Sequence, residues 1–198
     1  MRLFIAVDVS DEIRAHAAGL RRAIVGRDPR LERGLRWVAA EHLHLTLRFL
    51  GELAGEAAGH LEAELAVPLA SAPFTWRLGG VAWLPGPARP RVLVCRIGDG
   101  ADALVALQAE VEARVQRAAV AAADTRPFLA HLTLARVREG RESDVARARD
   151  ALSGLTASDD VPAARVDAVT LYESRLSPRG PTYTPLARAP LGGGAGPR

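Results

Sequence analysis

Lysine is absent from this chain: all 26 basic residues are arginine, and with 23 acidic residues the formal net charge is +3. Ligases that work through a covalent lysine–nucleotide adduct need a lysine amine, so this class of chemistry is excluded. Arginine instead offers a planar fork of donors that suits phosphate groups. The small net charge permits contact with a nucleic acid but does not indicate neutralisation of a long backbone tract.

Cysteine is almost absent as well. The single thiol, Cys95, excludes an internal disulfide and a thiolate metal site, and its apolar neighbours predict a buried strand position. No apolar run approaches the length of a membrane span. The opening Met1–Asp8 is too short and too soon interrupted by acid for a signal peptide. We therefore expect a cytoplasmic protein without membrane contact.

No glycine-rich nucleotide-binding loop follows the first predicted strand. The chain does contain two nearly identical five-residue words that share His-Leu-Thr-Leu: Leu-His-Leu-Thr-Leu at Leu43–Leu47 and Ala-His-Leu-Thr-Leu at Ala130–Leu134. Each copy alternates apolar and polar residues, which predicts a half-buried strand. The imidazole and the hydroxyl of each copy then share the face that is opposite to the leucines.

Four candidate catalytic side chains follow from this pattern: His44, Thr46, His131 and Thr133. If the two strands lie close together, two imidazoles and two hydroxyls converge. Imidazoles can deliver and remove protons near neutral pH, and hydroxyls can donate hydrogen bonds to a charged centre. The alternative is a pair of ordinary amphipathic strands whose polar residues meet solvent, but the repetition with the same leucine flanks favours a site.

Hydrophobic periodicity predicts a mixture of strands and helices in a chain with 48% apolar residues. The predicted strands are Leu3–Val7, His42–Leu50, Pro73–Leu84, Arg91–Ile97, Phe128–Val137, Arg165–Glu173 and Pro181–Leu186. The predicted helices lie between Ser10 and Gly26 and at Glu52–Val67, Asp99–Ala119 and Ser143–Leu152. This order favours an α+β fold with two antiparallel sheets, helices on the outer faces and the histidine strands in two similar lobes that meet across a cleft. The tail Arg188–Arg198, rich in Gly and Pro, is expected to be disordered.

On these residues the chain resembles the two-histidine phosphoesterase superfamily, and within it the RNA 2′,3′-cyclic phosphodiesterases that are also called 2′-5′ RNA ligases. Besides the two histidine words, the opening strand Arg2–Val7 is similar to that family, as are Leu171–Leu176 and Gly180–Tyr183 near the other end. One departure is Ala130, where the family usually has proline before the second histidine. Its loss relaxes a backbone restraint but removes no chemical group.

The resemblance implies a single bilobed domain over residues 1–187, with a pseudo-twofold axis and a central cleft that needs no metal or other cofactor. It implies hydrolysis of RNA 2′,3′-cyclic phosphate ends to 2′-phosphate. His44 would be the proton donor and His131 the proton acceptor, while Thr46 and Thr133 would donate to the phosphate oxygens. Ligation would be the reverse reaction, in which a 5′-hydroxyl replaces water and no ATP is needed.

Four further residues are expected to contact the substrate: Arg48, Arg136, Tyr172 and Ser174. Arg48 has the strand parity of the first histidine, although a solvated strand end fits it equally well. Simple alternation places Arg136 on the leucine face, so it needs a strand end or a bulge to reach the cleft. Tyr172 could stack on a nucleobase or pack in the core, and the resemblance places Ser174 at the cleft border.

Two other hypotheses stay open. The fold could be a binding module that holds a nucleotide or a 2′-phosphate without turnover. The substrate could also be a 2′-5′-linked oligonucleotide, a cyclic nucleotide or a tRNA-splicing fragment. His42 and His44 form a His-x-His pair that could bind metal, but no acidic residue stands at a companion spacing, so no metal site is expected. The protein is expected to be a monomer.

Overall fold

A computed structural model describes residues 1–148, 152, 161–177 and 180–192. The strands are β1 (Arg2–Asp8), β2 (Leu35–Trp37), β3 (His44–Glu52), β4 (Phe74–Trp76), β5 (Leu78–Leu84), β6 (Val92–Ile97), β7 (His131–Val137), β8 (Ala164–Val166), β9 (Ala168–Ser177) and β10 (Gly180–Pro190). The helices are α1 (Asp11–Arg27), α2 (Arg30–Gly34), α3 (Gly55–Leu65), α4 (Ala101–Arg117) and α5 (Glu142–Ala148). None of the helices in this part of the chain is long and apolar enough to cross a membrane.

Two four-stranded sheets form the two lobes. The first has the order β10-β9-β1-β3 and joins both ends of the chain, whereas the second has the order β2-β7-β6-β5 and comes from the middle. All their neighbouring strands are antiparallel, and β4 pairs with β8 in a small separate ladder. The predicted α+β fold with two antiparallel sheets is confirmed.

The helices cover the sheets with the apolar stripes that the sequence predicts. In α1 the hydroxyl of Ser10 accepts a hydrogen bond from the backbone N–H of Ile13 at 3.4 Å, so the helix begins with a side-chain cap. One face of α1 and one face of α4 are buried, and each fully buried Leu or Ile contributes about 1.5–3 kcal/mol. The buried stripes consist of Ile13, Ala17, Leu20 and Ile24 in α1 and of Leu104, Leu107, Val111 and Val115 in α4.

The two histidine strands meet at the junction of the lobes. β3 is an edge strand of the first sheet, β7 is the second strand of the other, and the two strands contact each other directly. Each begins at its histidine: a short 3-10 turn at Ala40–His42 precedes β3, and residues 127–130, which have no regular secondary structure, precede β7. The lobes thus meet where the two histidine strands contact each other.

The chain stays ordered beyond Arg188, where the sequence predicts that a disordered tail begins. β10 continues through Pro190 in register with β9, and Leu191 forms a parallel bridge with Leu69. Ala189 and Leu191 are buried, so disorder from Arg188 onward is wrong for this segment. The rest of the predicted tail, residues 193–198, lies outside the described residues. The same is true of residues 149–151 in the helix predicted at Ser143–Leu152. The long strand predicted at Pro73–Leu84 is divided between β4 and β5, which pair with different partners.

Candidate active site

All four residues of the repeated words face one cleft. His44 and Thr46 of β3 and His131 and Thr133 of β7 line a cavity of about 360 Å³ at the junction of the lobes. Each histidine and threonine is half-buried, whereas the leucines between and after them are buried. The alternation predicted from sequence therefore places two imidazoles and two hydroxyls around a common space.

A bulge interrupts each histidine strand at the same point after the threonine. In β3, Thr46 pairs with Ala6 but Arg48 already pairs with Ile5, so Leu47 is the extra residue. In β7, Thr133 pairs with Val94 and Ala135 with Leu93, which makes Leu134 the extra residue. A bulge of one residue reverses the alternation beyond it.

The bulges decide which of the following side chains reach the cleft. Arg48 and Ala135 turn toward the helices, while Phe49 and Arg136 return to the face of the threonines and line the cleft. Arg136 therefore reaches the cleft because of the bulge at Leu134, as the sequence predicts that a bulge or a strand end is needed. Phe49 is 49% exposed. It was not among the predicted site residues, because simple alternation places it on the leucine face.

Arg48 has a different position from the predicted one. Its guanidinium lies 2.8 Å from a carboxylate oxygen of Glu112 in α4 and 3.2 Å from one of Asp124, and it also donates to the carbonyl of Ala122. The expectation that Arg48 shares the orientation of the histidine is wrong, because the bulge at Leu47 reverses it. Arg48 borders the cleft, but its charge is paired, and it fixes the loop that precedes β7.

The loop that precedes β7 forms one wall of the cleft. Its residues Phe128 and Leu129 line the cavity, and its Asp124 accepts hydrogen bonds from the side chain and the backbone N–H of Arg126. These hydrogen bonds, with a smaller contribution from the charge of Arg48, hold the pKa of Asp124 well below its usual range. Asp124 is therefore a permanent anion that ties the loop to β3.

Both histidines are oriented by a backbone carbonyl two residues earlier. Nδ1 of His44 lies 2.8 Å from the carbonyl oxygen of His42, and Nδ1 of His131 lies 2.7 Å from that of Leu129. Because a carbonyl can only accept, Nδ1 carries the hydrogen in both rings. Nε2 is then the nitrogen that gains or loses a proton, so each ring has one nitrogen available for acid–base chemistry.

The surroundings of His44 lower its pKa. Burial is the largest cause, and the nearby charges of His42 and Arg136 act in the same direction. The hydrogen bond to the carbonyl of His42 and the charge of Asp8, its cross-strand neighbour in β1, oppose this shift. The ring of His44 is therefore neutral at pH 7 in the free protein, and a bound anion would favour its protonation.

Aromatic rings surround His44 on the first sheet. The ring centroids of Phe4 and Tyr183 lie 4.8 Å and 5.4 Å from that of His44, and Tyr183 meets the imidazole edge-on at 86°. Tyr183 also contacts the ring of His42 at 5.0 Å and lines the cleft. It is a further cleft residue that sequence reasoning did not select, although it lies in the C-terminal stretch that carries the family resemblance.

Tyr172 and Ser174 do not line the cleft. The hydroxyl of Tyr172 donates to Asp8 at 2.6 Å, and its ring stacks on Phe4 at 5.3 Å. Burial, followed by this hydrogen bond, raises the pKa of Tyr172 to about 12. Ser174 lies opposite Tyr183 in the ladder of β9 and β10. The structure thus shows that Tyr172 supports the carboxylate beside His44. Stacking of Tyr172 on a nucleobase and contact of Ser174 with the substrate stay predictions.

A match to a family model covers both strands that carry the four motif residues. The model described as LigT like phosphoesterase matches residues 7–94 and 97–183, which include both histidine words. The chain belongs to the LigT-like phosphoesterase family. The two matched segments correspond to the two halves of the chain that each contribute one histidine strand.

Curated relatives in this family share most of the chain. A protein of Thermus thermophilus is 35% identical over 98% of this chain and 91% of its own length, and one of Archaeoglobus fulgidus is 30% identical over 94% and 98%. Both are named RNA 2′,3′-cyclic phosphodiesterase. Among solved structures, E. coli LigT complexed with 3′-AMP has a TM-score of 0.71 with 29% identity, covering 96% of each chain. The structure of TT0787 of Thermus thermophilus has a TM-score of 0.70 with 30% identity and covers 99% of this chain and 100% of its own.

Residues with metal-ligand chemistry do not cluster in the described part of this family member. No group of three or more His, Cys, Asp and Glu side chains there is arranged to hold a metal ion. The ring of His42 faces Tyr183, and His44 is fixed by the carbonyl of His42. The cleft therefore offers imidazoles, hydroxyls and the guanidinium groups of Arg48, Arg126 and Arg136. Imidazoles can protonate a phosphate ester, and hydroxyl and guanidinium groups can bind one directly.

Proposed function

We propose that this protein hydrolyses the 2′,3′-cyclic phosphate ends of RNA to 2′-phosphates without a metal ion. The observation that carries the proposal is the pair of histidines, each with Nδ1 held by a carbonyl, that face one cleft with two threonines. The names of the curated relatives and the binding of 3′-AMP by E. coli LigT support the same substrate chemistry.

The reaction needs one base and one acid on opposite sides of the phosphorus. In the proposed step, Nε2 of His131 removes a proton from water as the water oxygen forms its bond to phosphorus. The bond between phosphorus and the 3′ oxygen breaks, and His44 gives its Nε2 proton to that oxygen. The products are a 3′-hydroxyl and a 2′-phosphate. This polarity follows the family resemblance, since the two words are nearly identical.

The lowered pKa of His44 makes its protonation depend on the substrate. Burial keeps the ring neutral in the free protein, whereas a proton donor must be charged when the bond breaks. A cyclic phosphate carries one negative charge, which raises the pKa of a nearby imidazole. Binding of the anion therefore brings a proton onto His44 at the place where the leaving oxygen needs it.

Thr46 and Thr133 are proposed to donate to the non-bridging oxygens of the phosphate. Negative charge grows on these oxygens when water attacks, and fixed donors that point at them stabilise the transition state more than the ground state. Arg136 lies in the same cleft, and its charge acts on His44, so it is proposed to bind a phosphate of the RNA substrate. Direct substrate contacts by Tyr172 and Ser174 stay predictions from the sequence, since neither residue is part of the cavity lining.

The reverse reaction would join RNA ends. A 5′-hydroxyl that takes the place of water could attack the cyclic phosphate and form a 2′-5′ linkage, with the same acid and base and without ATP. This agrees with a chain that has no lysine for an adduct. A cytoplasmic location and a monomeric state stay predictions from the sequence.

The test is a product assay with RNA that carries a 2′,3′-cyclic end, in the presence of EDTA. We expect 2′-phosphate to form in the wild type, and His44→Ala and His131→Ala each to lose roughly 10²–10⁴-fold in rate with the fold intact. His60→Ala, which removes an exposed histidine of α3, is the matched control and should retain full activity. Tight binding of the cyclic end without turnover would instead show a binding module, and loss of activity with EDTA would contradict the metal-free mechanism.

A further inference from the structure

Two arginines of the second sheet lie side by side on its cleft face. β2 runs antiparallel to β7, and Arg36 lies directly opposite Arg136 in this ladder. Cross-strand partners project from the same face of a sheet, with their Cβ atoms roughly 5 Å apart. Because the bulge at Leu134 turns Arg136 to the cleft face, Arg36 leaves the sheet on that face too. Both residues are exposed.

This pair of charges is unfavourable without a ligand. Like charges in direct cross-strand register destabilise a sheet. Several exposed arginines elsewhere are paired with acids, as Arg21 is with Glu32 and Arg117 with Glu64. Among the residues that the structure describes, Arg36 and Arg136 have neither an ion pair nor a side-chain hydrogen bond to another residue. An anion bound between them would replace repulsion by attraction.

The position of the pair relates it to the cleft. Arg136 lines the same cavity as His44 and Tyr183, and its charge acts on both side chains. β2 is the edge strand of its sheet, and Arg36 is not part of the cavity lining as far as the chain is described. An anion held by both guanidinium groups would therefore lie at the rim, outside the centre formed by the histidines and threonines.

Resting on the proposed function, we propose that Arg36 and Arg136 form a second phosphate subsite for the internucleotide phosphate on the 5′ side of the cyclic end. His44 protonates the 3′ oxygen in the proposed step, so the terminal ribose lies at the His44 end of the cleft. The 5′ oxygen of that ribose carries the phosphate that continues the RNA, and this phosphate leaves the cleft past the two arginines. Guanidinium groups bind such an oxyanion through paired hydrogen bonds.

The subsite defines the substrate class as an oligoribonucleotide rather than a cyclic mononucleotide. The test compares a 2′,3′-cyclic mononucleotide with a dinucleotide that has the same terminal nucleoside and the same cyclic end. In the wild type we expect a higher kcat/KM for the dinucleotide. Arg36→Gln should lower that value roughly 10-fold or more through KM, because a charge-assisted contact is lost, and should leave hydrolysis of the mononucleotide within about twofold.

A matched control separates this contact from a general loss of charge. Arg117→Gln removes one positive charge from the outer surface of α4 and should not change the preference for the dinucleotide. The dependence of log(kcat/KM) on log salt for the dinucleotide should become shallower by roughly 0.7 in Arg36→Gln but not in the control. Arg36→Gln should also keep or raise the melting temperature, because it relieves a repulsion.

The outcomes distinguish this inference from the proposed function. If the wild type hydrolyses both substrates and Arg36→Gln affects them equally or not at all, the subsite is refuted while the function stands. If the wild type hydrolyses neither, the function fails, and binding of the intact dinucleotide decides the subsite. A Kd that is about tenfold weaker in Arg36→Gln then supports it, and an unchanged Kd overturns it.

Discussion

The variant Arg48→Ala tests whether Arg48 binds the substrate, as its strand position suggests, or stabilises the fold through its ion pairs with Glu112 and Asp124. The side chain is 7% exposed, and its two acidic partners, Glu112 and Asp124, are 18% and 21% exposed. Removing one partner of a buried ion pair costs about 3–5 kcal/mol, because the remaining charge is left desolvated. Since water still reaches both carboxylates, we expect the free energy of unfolding to fall by about 2–3 kcal/mol.

The assay is urea unfolding followed by circular dichroism, with Arg126→Ala as the matched control. Arg126 pairs with Asp124 from the solvent side, where its side chain is 80% exposed. Exposed pairs contribute little to stability, so the control should lose much less stability than Arg48→Ala. The reasoning is refuted if both variants lose the same stability. A higher KM for Arg48→Ala at unchanged stability would restore the substrate-binding role expected from the sequence.

Three further variants and one titration test the site. In NMR titrations the His44 ring should take up its proton below the ordinary value of 6.5, inorganic phosphate should raise this midpoint, and a midpoint at or above 6.5 in the free protein would contradict the account. Because the unfolded chain binds this proton more tightly, the free energy of unfolding should decrease as the pH falls below about 6.5. Arg136→Gln should raise the same midpoint by removing a nearby positive charge, and no upward change would show that the guanidinium lies elsewhere. Thr133→Val keeps the branched shape but removes the donor, so kcat should fall roughly 10²–10³-fold at an unchanged melting temperature; an unchanged kcat excludes the donor role. Tyr172→Phe should cost about 1 kcal/mol of stability without changing KM, and the opposite pattern would indicate direct substrate contact.

The catalytic candidates could be found from sequence because their pattern is local. Alternation over five residues sets the face of His44 and Thr46, and the repetition at His131 and Thr133 marks both strands as equivalent. The stripes of α1 and α4 are local in the same sense. Such patterns depend only on the geometry of one strand or helix, so the face on which a side chain lies can be predicted without knowing the tertiary contacts.

The residues beyond each threonine could not be placed in this way. Whether Arg48 or Phe49 faces the cleft depends on a bulge at Leu47, and this bulge arises from pairing with β1, which is distant in sequence. The end of β10 is similar, because Ala189 and Leu191 are ordered by β9 and by Leu69 rather than by their own composition. Pairing with segments distant in sequence therefore determines both which side chains beyond the threonine face the cleft and where the ordered chain ends.

The most direct test of the shared cleft is the rate of cyclic phosphate hydrolysis by the double variant His44→Ala/His131→Ala beside the two single variants. Groups that act in one step on one phosphorus are strongly non-additive when they are removed together. We expect the double variant to lose little more than the more damaging single variant. If the losses multiply, or if either single variant keeps the wild-type rate, the two histidines do not act together on one substrate.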